Sequence, residues 1–244
     1  YDYIGFGAIG EGLFRHLVVA RLAFLLSKLK TIDYLYRYQG TSLDIDAVYR
    51  FLDKLNKKLK TQVEQIAFAH TKRVLQGNIS VVFYDMTTLY FEASDEDDLR
   101  KTGFSKDGKH QCPQIFIGLL VGLGGYAIGY DIYEGNTYEG HTLIPFIEKI
   151  SQKFNLKMPI VVADAGLLSK ENIEALESKG YEYILGARLK NETASVRSKI
   201  LSTDFSDGAI KRFTKSKTTH LIVNFSTARA TKDAYNRKRG LTRL

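Results

Sequence analysis

A single cysteine, Cys112, rules out any disulfide within the 244-residue chain. It also rules out the small secreted folds that disulfides hold together, and a reducing, intracellular setting fits. His110 stands close to Cys112, but no second pair completes a zinc-binding pattern. No stretch reads as a membrane span. Leu13–Leu29 carries Arg15, His16, Arg21 and Lys28, and Ile115–Tyr130 is broken by five glycines. No secretory leader pattern, internal repeat or low-complexity linker is visible. Glutamate is missing after Glu192. The chain opens on Tyr1 and stops inside what reads as a helix, the outline expected of a fragment of a longer protein.

The content that is there is ordinary for a globular protein, with 44% hydrophobic and 25% charged residues. The net charge of +8 is unevenly spread. From Arg188 to Leu244 there are 14 Lys or Arg against 4 Asp or Glu, while residues 1–187 hold 21 bases and 23 acids. All the basic excess lies in the last quarter. That is the electrostatic footprint expected for a polyanion partner, chiefly nucleic acid, although a solvated surface has the same composition.

Residues 1–76 read as helical. Phe14, Leu17, Val18, Leu22, Leu25 and Leu29 recur at helical spacing. A second helix is predicted over Leu43–Leu59 with Ser42 or Asp44 as its cap, and a third over Thr61–Gln76, ending at Gly77-Asn78. After Gly77 the period changes to that of strands. A strand ends at Asp85, and a hairpin of Ile115–Val121 and Tyr126–Tyr133 follows. Next come a helix at His141–Phe154, a strand ending at Asp164, a helix capped by Ser169 and a strand at Tyr181–Gly186. Three meandering strands and then alternating helices and strands is the order of an α/β, RNase H-like (retroviral-integrase-like) core, in which the first and fourth strands lie side by side. The expected division is an N-terminal helical region at 1–76, the catalytic core at 77–187, and an incomplete basic, β-rich insertion at 188–244.

Chemistry gathers at two apolar runs that end in aspartate, Ile79–Asp85 and Met158–Asp164. Ligands of parallel sheets sit at the carboxyl ends of the strands, so an acid there points at a site. A strand-terminal Asp also caps turns, which is the plainer use of either residue. The topology would bring Asp85 and Asp164 together, although 79 positions separate them. Two neighbouring carboxylates suit a divalent metal and phosphoryl transfer.

Tyr84-Asp85-Met86-Thr87-Thr88-Leu89-Tyr90-Phe91-Glu92 resembles the first acidic motif of DDE transposases from bacterial insertion sequences. Gly103-Phe104-Ser105-Lys106-Asp107 resembles the segment that follows it. Gly135-Asn136-Thr137 with Glu139 and Thr142-Leu143 resembles the stretch before the first core helix, and Val162–Ser169 the second acidic motif. The resemblance implies Mg2+-dependent cleavage and strand transfer at transposon ends, with Mn2+ able to substitute. Its partners would be double-stranded DNA of the ends and target, and a second copy in the DNA complex. Asp85 and Asp164 would be the first two metal-holding acids. In this branch a β-rich insertion precedes the third, a Glu on a helix within Tyr-x-x-Arg-x-x-x-Glu-x-x-x-x-x-x-Lys, and no such pattern occurs here. That helix would pack beside the first strand, so an open apolar flank of the sheet is expected. Lys106, Lys109, Arg188 and Lys190 are candidate phosphate contacts. Two alternatives remain. One is a catalytically dead DNA-binding remnant. The other is a phosphatase of the haloacid dehalogenase type, which needs a second Asp where Thr87 stands.

Overall fold

The computed structural model describes residues 1–105 and 107–242. They form two compact units, Tyr1–Leu185 and Gly186–Leu244. The first begins with helices α1 (Gly12–Ala23), α2 (Lys28–Gln39), α3 (Ile45–Lys54) and α4 (Lys60–Val74). The stripe through Leu29 does not form one helix. Ser27 Oγ accepts from the Lys30 amide at 3.3 Å, and that cap opens a new helix after a break at Phe24–Leu26. Leu22, Leu25 and Leu29 are left 81%, 80% and 67% exposed. Helix α2 gives little periodic signal, because Thr31 and Leu35 are its only buried residues. Asp44 takes the cap position of α3 without a side-chain hydrogen bond, and α3 continues into α4 through a π turn at Leu55–Leu59. Helix α4 ends as expected, with the Gly77 amide reaching back to the Lys72 carbonyl at 2.7 Å and Gly77 at φ +80.

The sheet comprises β1 (Val81–Tyr90), β2 (Gln114–Val121), β3 (Ala127–Glu134), β4 (Ile160–Ala163) and β5 (Tyr183–Leu185). Its order is β3-β2-β1-β4-β5. The β1–β2 and β2–β3 pairs are antiparallel, and β1–β4 and β4–β5 are parallel. This is the RNase H-like order expected from the sequence. Helices α5 (Leu143–Phe154) and α6 (Lys170–Ser178) precede and follow β4. Val82, Tyr84, Val161 and Ala163 share one sheet face and pack with Leu143, Phe146, Ile147 and Ile150 of α5. The opposite face leaves Phe83, Leu119, Ile132 and Ile184 between 39% and 61% exposed. By register these residues lie on the same face as Asp85.

The largest departure from the expected strand boundaries is in β1. β1 does not stop at Asp85. Only its ladder with β4 stops, at Tyr84↔Ala163, while the β2 ladder runs on to Tyr90↔Gln114. Thr87, Thr88 and Tyr90 are good strand formers, and β2 offers them a partner.

Tyr84 is 2% exposed, and its hydroxyl donates to Thr142 Oγ1 at 2.8 Å. Burial pushes its pKa from 10.0 up to about 12, with the Thr142 hydrogen bond opposing. The folded state therefore holds this proton after the unfolded chain has lost it. The stabilisation is complete below pH 10, and it is lost as pH rises through about 12. Urea midpoints measured across that interval should fall less steeply for Tyr84→Phe than for the parent. Equal slopes would exclude Tyr84 as a cause of alkaline unfolding.

The second unit contains α7 (Ala194–Leu201), the hairpin β6 (Ile210–Thr214) and β7 (His220–Asn224), and α8 (Thr227–Leu241). Ile200, Phe213, Leu221 and Val223 form its small core. Two strands lie within the stretch read as β-rich, and α7 was not expected from the sequence. No residue of α8 is buried. Among the described residues no helix is long and apolar enough to cross a membrane.

Candidate active site at the acidic edge of the sheet

Parallel pairing of β1 with β4 sets the site. Val81↔Ile160 through Tyr84↔Ala163 are partners, so Asp85 and Asp164 occupy the next register position on each chain. Paired strands lie about 4.8 Å apart. Both acids are exposed, Asp85 within β1 and Asp164 just past β4. Each carboxylate takes a local backbone donor. Asp85 Oδ1 accepts from the Met86 amide at 2.8 Å, and Asp164 Oδ1 accepts from the Gly166 amide at 2.9 Å. The Leu167 amide also reaches the Asp164 carbonyl at 3.3 Å, completing a turn. Turn capping accounts for one oxygen of Asp164, and the next amide of the strand for one oxygen of Asp85, while a carboxylate has about four acceptor sites.

A third carboxylate comes to the same edge. Glu139 opens the 3-10 turn Glu139–His141 before α5. A Cβ placed on Gly166 would lie 3.0 and 3.4 Å from the Asp164 carboxylate oxygens and 3.5 Å from Glu139 Oε2. Glycine at 166 therefore keeps open a space lined by oxygens of both acids. Sequence reasoning quoted Glu139 only inside a longer motif and gave it no role at the site. Nothing in a single sequence connects position 139 with 164.

Two buried side chains tie these segments together. Thr142 Oγ1 accepts from Tyr84 and donates to the Glu139 carbonyl at 2.8 Å. Asn172 Nδ2 donates to the Gly140 carbonyl at 2.8 Å and to the Leu167 carbonyl at 2.9 Å. Ser169 caps α6 as expected, accepting from the Asn172 amide at 3.0 Å.

Of the four basic candidates, Lys109 has a described place within the first unit. Lys106 lies outside the described residues. Lys109 Nζ sits 5.4 Å from the centre of the Tyr90 ring. Tyr90 is five residues beyond Asp85, ~17 Å along the strand. Arg188 and Lys190 are exposed residues of the second unit. There the Lys190 carbonyl accepts from Arg197 Nη1 at 3.0 Å.

The donors that line the Gly166 space are carboxylate oxygens, which suit Mg2+ or Mn2+ rather than a thiolate- or imidazole-seeking metal. Among the described residues no group of three or more His, Cys, Asp or Glu is closely enough placed to hold a metal ion. What fits is the donor type, since carboxylate oxygens suit an oxygen-seeking divalent cation.

A family model described as "Transposase DDE domain" matches residues 76–240. No curated protein matches the chain. Solved structures similar to it include a piggyBac transposase synaptic complex with hairpin DNA, at 13% identity and TM-score 0.48, covering 93% of this chain and 49% of that one. A Mos1 transposase paired-end complex with left transposon end follows at 14% identity and TM-score 0.31, covering 69% and 57%. A pre-cleavage Mos1 transpososome is similar at 12% identity and TM-score 0.32, covering 76% and 64%. The chain spans less than two thirds of the length of each of these structures.

Proposed function

The chain belongs to the Transposase DDE domain family, and from that premise we propose that it carries the first two metal-holding acids of a DNA strand transferase. The proposed activity of the whole protein is divalent-metal-dependent cleavage and strand transfer at the ends of a bacterial insertion sequence. Its partner is double-stranded DNA, which places the protein at the nucleoid, and it acts there as a homodimer. The observation that supports this reading most is the shared register position of Asp85 and Asp164 at the ends of the paired run of β1 and β4.

Asp85 and Asp164 would hold the divalent ions, Mg2+ or Mn2+, and bound ions would supply activation of the attacking oxygen and charge stabilisation of the leaving 3′ oxygen of a phosphodiester. The chain's own contribution is orientation. The β2 ladder fixes the Asp85 backbone, and a local amide holds one oxygen of each acid. The absence of a side chain at Gly166 keeps open the space between the Asp164 and Glu139 carboxylates.

A second reading, DNA binding without cleavage, is favoured by one observation. No three acids cluster among the described residues. Nicking of a supercoiled plasmid in Mg2+ or Mn2+, with chelator as control, separates the two. Nicking that persists in chelator would end the metal reading.

Binding itself is assigned to the second unit, where α8 holds Arg229, Lys232, Arg237, Lys238 and Arg239 against Asp233. None of these side chains is buried, so charge reversal leaves the fold intact. A protein neutralising six phosphates loses roughly 10^3-fold in affinity between low and physiological salt. Replacing Arg237, Lys238 and Arg239 by Glu should weaken DNA binding at low salt and flatten its salt dependence. An unchanged salt slope would remove α8 from the interface.

A further inference from the structure

Asn172 lies on α6, remote in sequence from Asp85 and from Glu139, and is 5% exposed. Its side-chain nitrogen has two N–H groups, and both are used across a gap between segments. One reaches the carbonyl of Gly140, the residue after Glu139. The other reaches the carbonyl of Leu167, which closes the turn begun by Asp164. Only the NH2 edge of an amide can face two carbonyl oxygens, so the orientation of the side chain is fixed. On the far side of the Glu139 turn, Thr142 binds the Glu139 carbonyl and receives the hydroxyl of Tyr84, the neighbour of Asp85. The three acid-bearing segments are thereby linked in series: β1 at 84–85, the turn at 139–142, and the loop at 164–167. Packing and capping of α6 do not need this amide. Leu176 anchors the helix in the core, and Ser169 caps it.

We propose that Asn172 is a positioning residue for metal binding. It holds the Glu139 turn and the Asp164 loop at the spacing at which the oxygens around Gly166 accept a divalent cation. The proposal rests on the metal reading above. It goes beyond that reading by giving a role to a residue that touches neither the metal nor DNA. Outer-shell partners of this kind typically change metal affinity by about 10- to 100-fold.

The test is Mn2+ binding by the full chain, read from the EPR signal of free Mn2+ and accompanied by thermal melting without metal. Asn172→Leu keeps the number and branching of the side-chain heavy atoms and removes both donors. It should weaken Mn2+ binding by about tenfold or more. Asn172→Ser keeps one donor and leaves room for a water, so it should fall between parent and leucine variant. It also serves as the measurement if the leucine variant does not fold. Leu176→Val, on the same helix but facing the core, should lower the melting temperature and leave Mn2+ affinity within about twofold of the parent. Two results would overturn the proposal. One is Mn2+ affinity within about twofold of the parent for a folded Asn172 variant. The other is an equal loss of affinity in Leu176→Val. Asp164→Asn binding Mn2+ as well as the parent would be a different failure. It would sink the metal reading itself, and the role of Asn172 with it.

Discussion

The Asp85→Asn substitution is expected to reduce metal-dependent strand nicking by at least about 10^3-fold, a loss near 4 kcal/mol of transition-state stabilisation. The exchange keeps the shape of the side chain and the acceptor that takes the Met86 amide. It removes the negative charge that a divalent cation requires. Asp164→Asn should do the same, because its amide oxygen can still accept from the Gly166 amide while the charge is gone. DNA affinity at fixed salt should stay within about threefold for both, since neither substitution removes a basic side chain. The measurement is plasmid nicking by the protein active in strand cleavage, paired with DNA binding in chelator. Either variant nicking at more than about a tenth of the parent rate would refute the assignment, because removing a catalytic metal anchor leaves far less.

A comparably large effect, on stability, is expected for Gly135→Ala. A Cβ there would lie 2.0 Å from the Gln114 carbonyl oxygen and 2.4 Å from that of Lys101. Both obstacles are backbone, and both are fixed. Lys101 bridges to Gln114, the Gly135 amide donates to the Leu99 carbonyl at 3.1 Å, and Gln114 Nε2 donates to the Gly135 carbonyl at 2.7 Å. Gln114 itself is fully buried. No side chain can swing away, so the 99–104 segment must separate from the end of the hairpin, at a cost of about 3 kcal/mol or more. Gly125→Ala provides the contrast. Gly125 has φ +80 with nothing within 4 Å of a new Cβ, so the change should cost only about 1 kcal/mol of backbone strain. Urea denaturation of both variants checks the pair. Equal losses would mean that the hairpin end yields easily.

The parts legible in the sequence are those whose signal is local. The runs before Asp85 and Asp164 are apolar because β1 and β4 are inner strands, and their order fixed the sheet topology. Ser169 announced α6 through its hydroxyl, and Gly77 announced the end of α4 through its left-handed φ. The failures follow equally physical lines. Leu22, Leu25 and Leu29 kept a helical period, but the chain turns extended at Phe24, ending α1, and the Ser27 cap begins another helix. Helix α2 buries only two residues, so its Tyr-rich sequence has no apolar stripe to read. β1 passed Asp85 because its partner on one side outlasts its partner on the other. Glu139 and Asn172 escaped notice because their significance lies in contacts spanning 27 to 32 positions, which one sequence does not encode in any periodicity.

The uneven ladders around β1 also make the two halves of the acidic edge differ in stiffness. Asp85 lies within a ten-residue strand and pairs with Leu119, with ladder continuing on both sides of it. Asp164 follows a four-residue strand whose outer neighbour, β5, has only three residues, and it leads directly into a turn. Local opening is cheapest where few ladder bonds must break, so amide protons near Asp164 exchange with solvent sooner than those flanking Asp85. Asp85 is thus framed by strand ladder on both sides, whereas the Asp164 loop depends for its hold on side-chain bonds such as that from Asn172 to the Leu167 carbonyl.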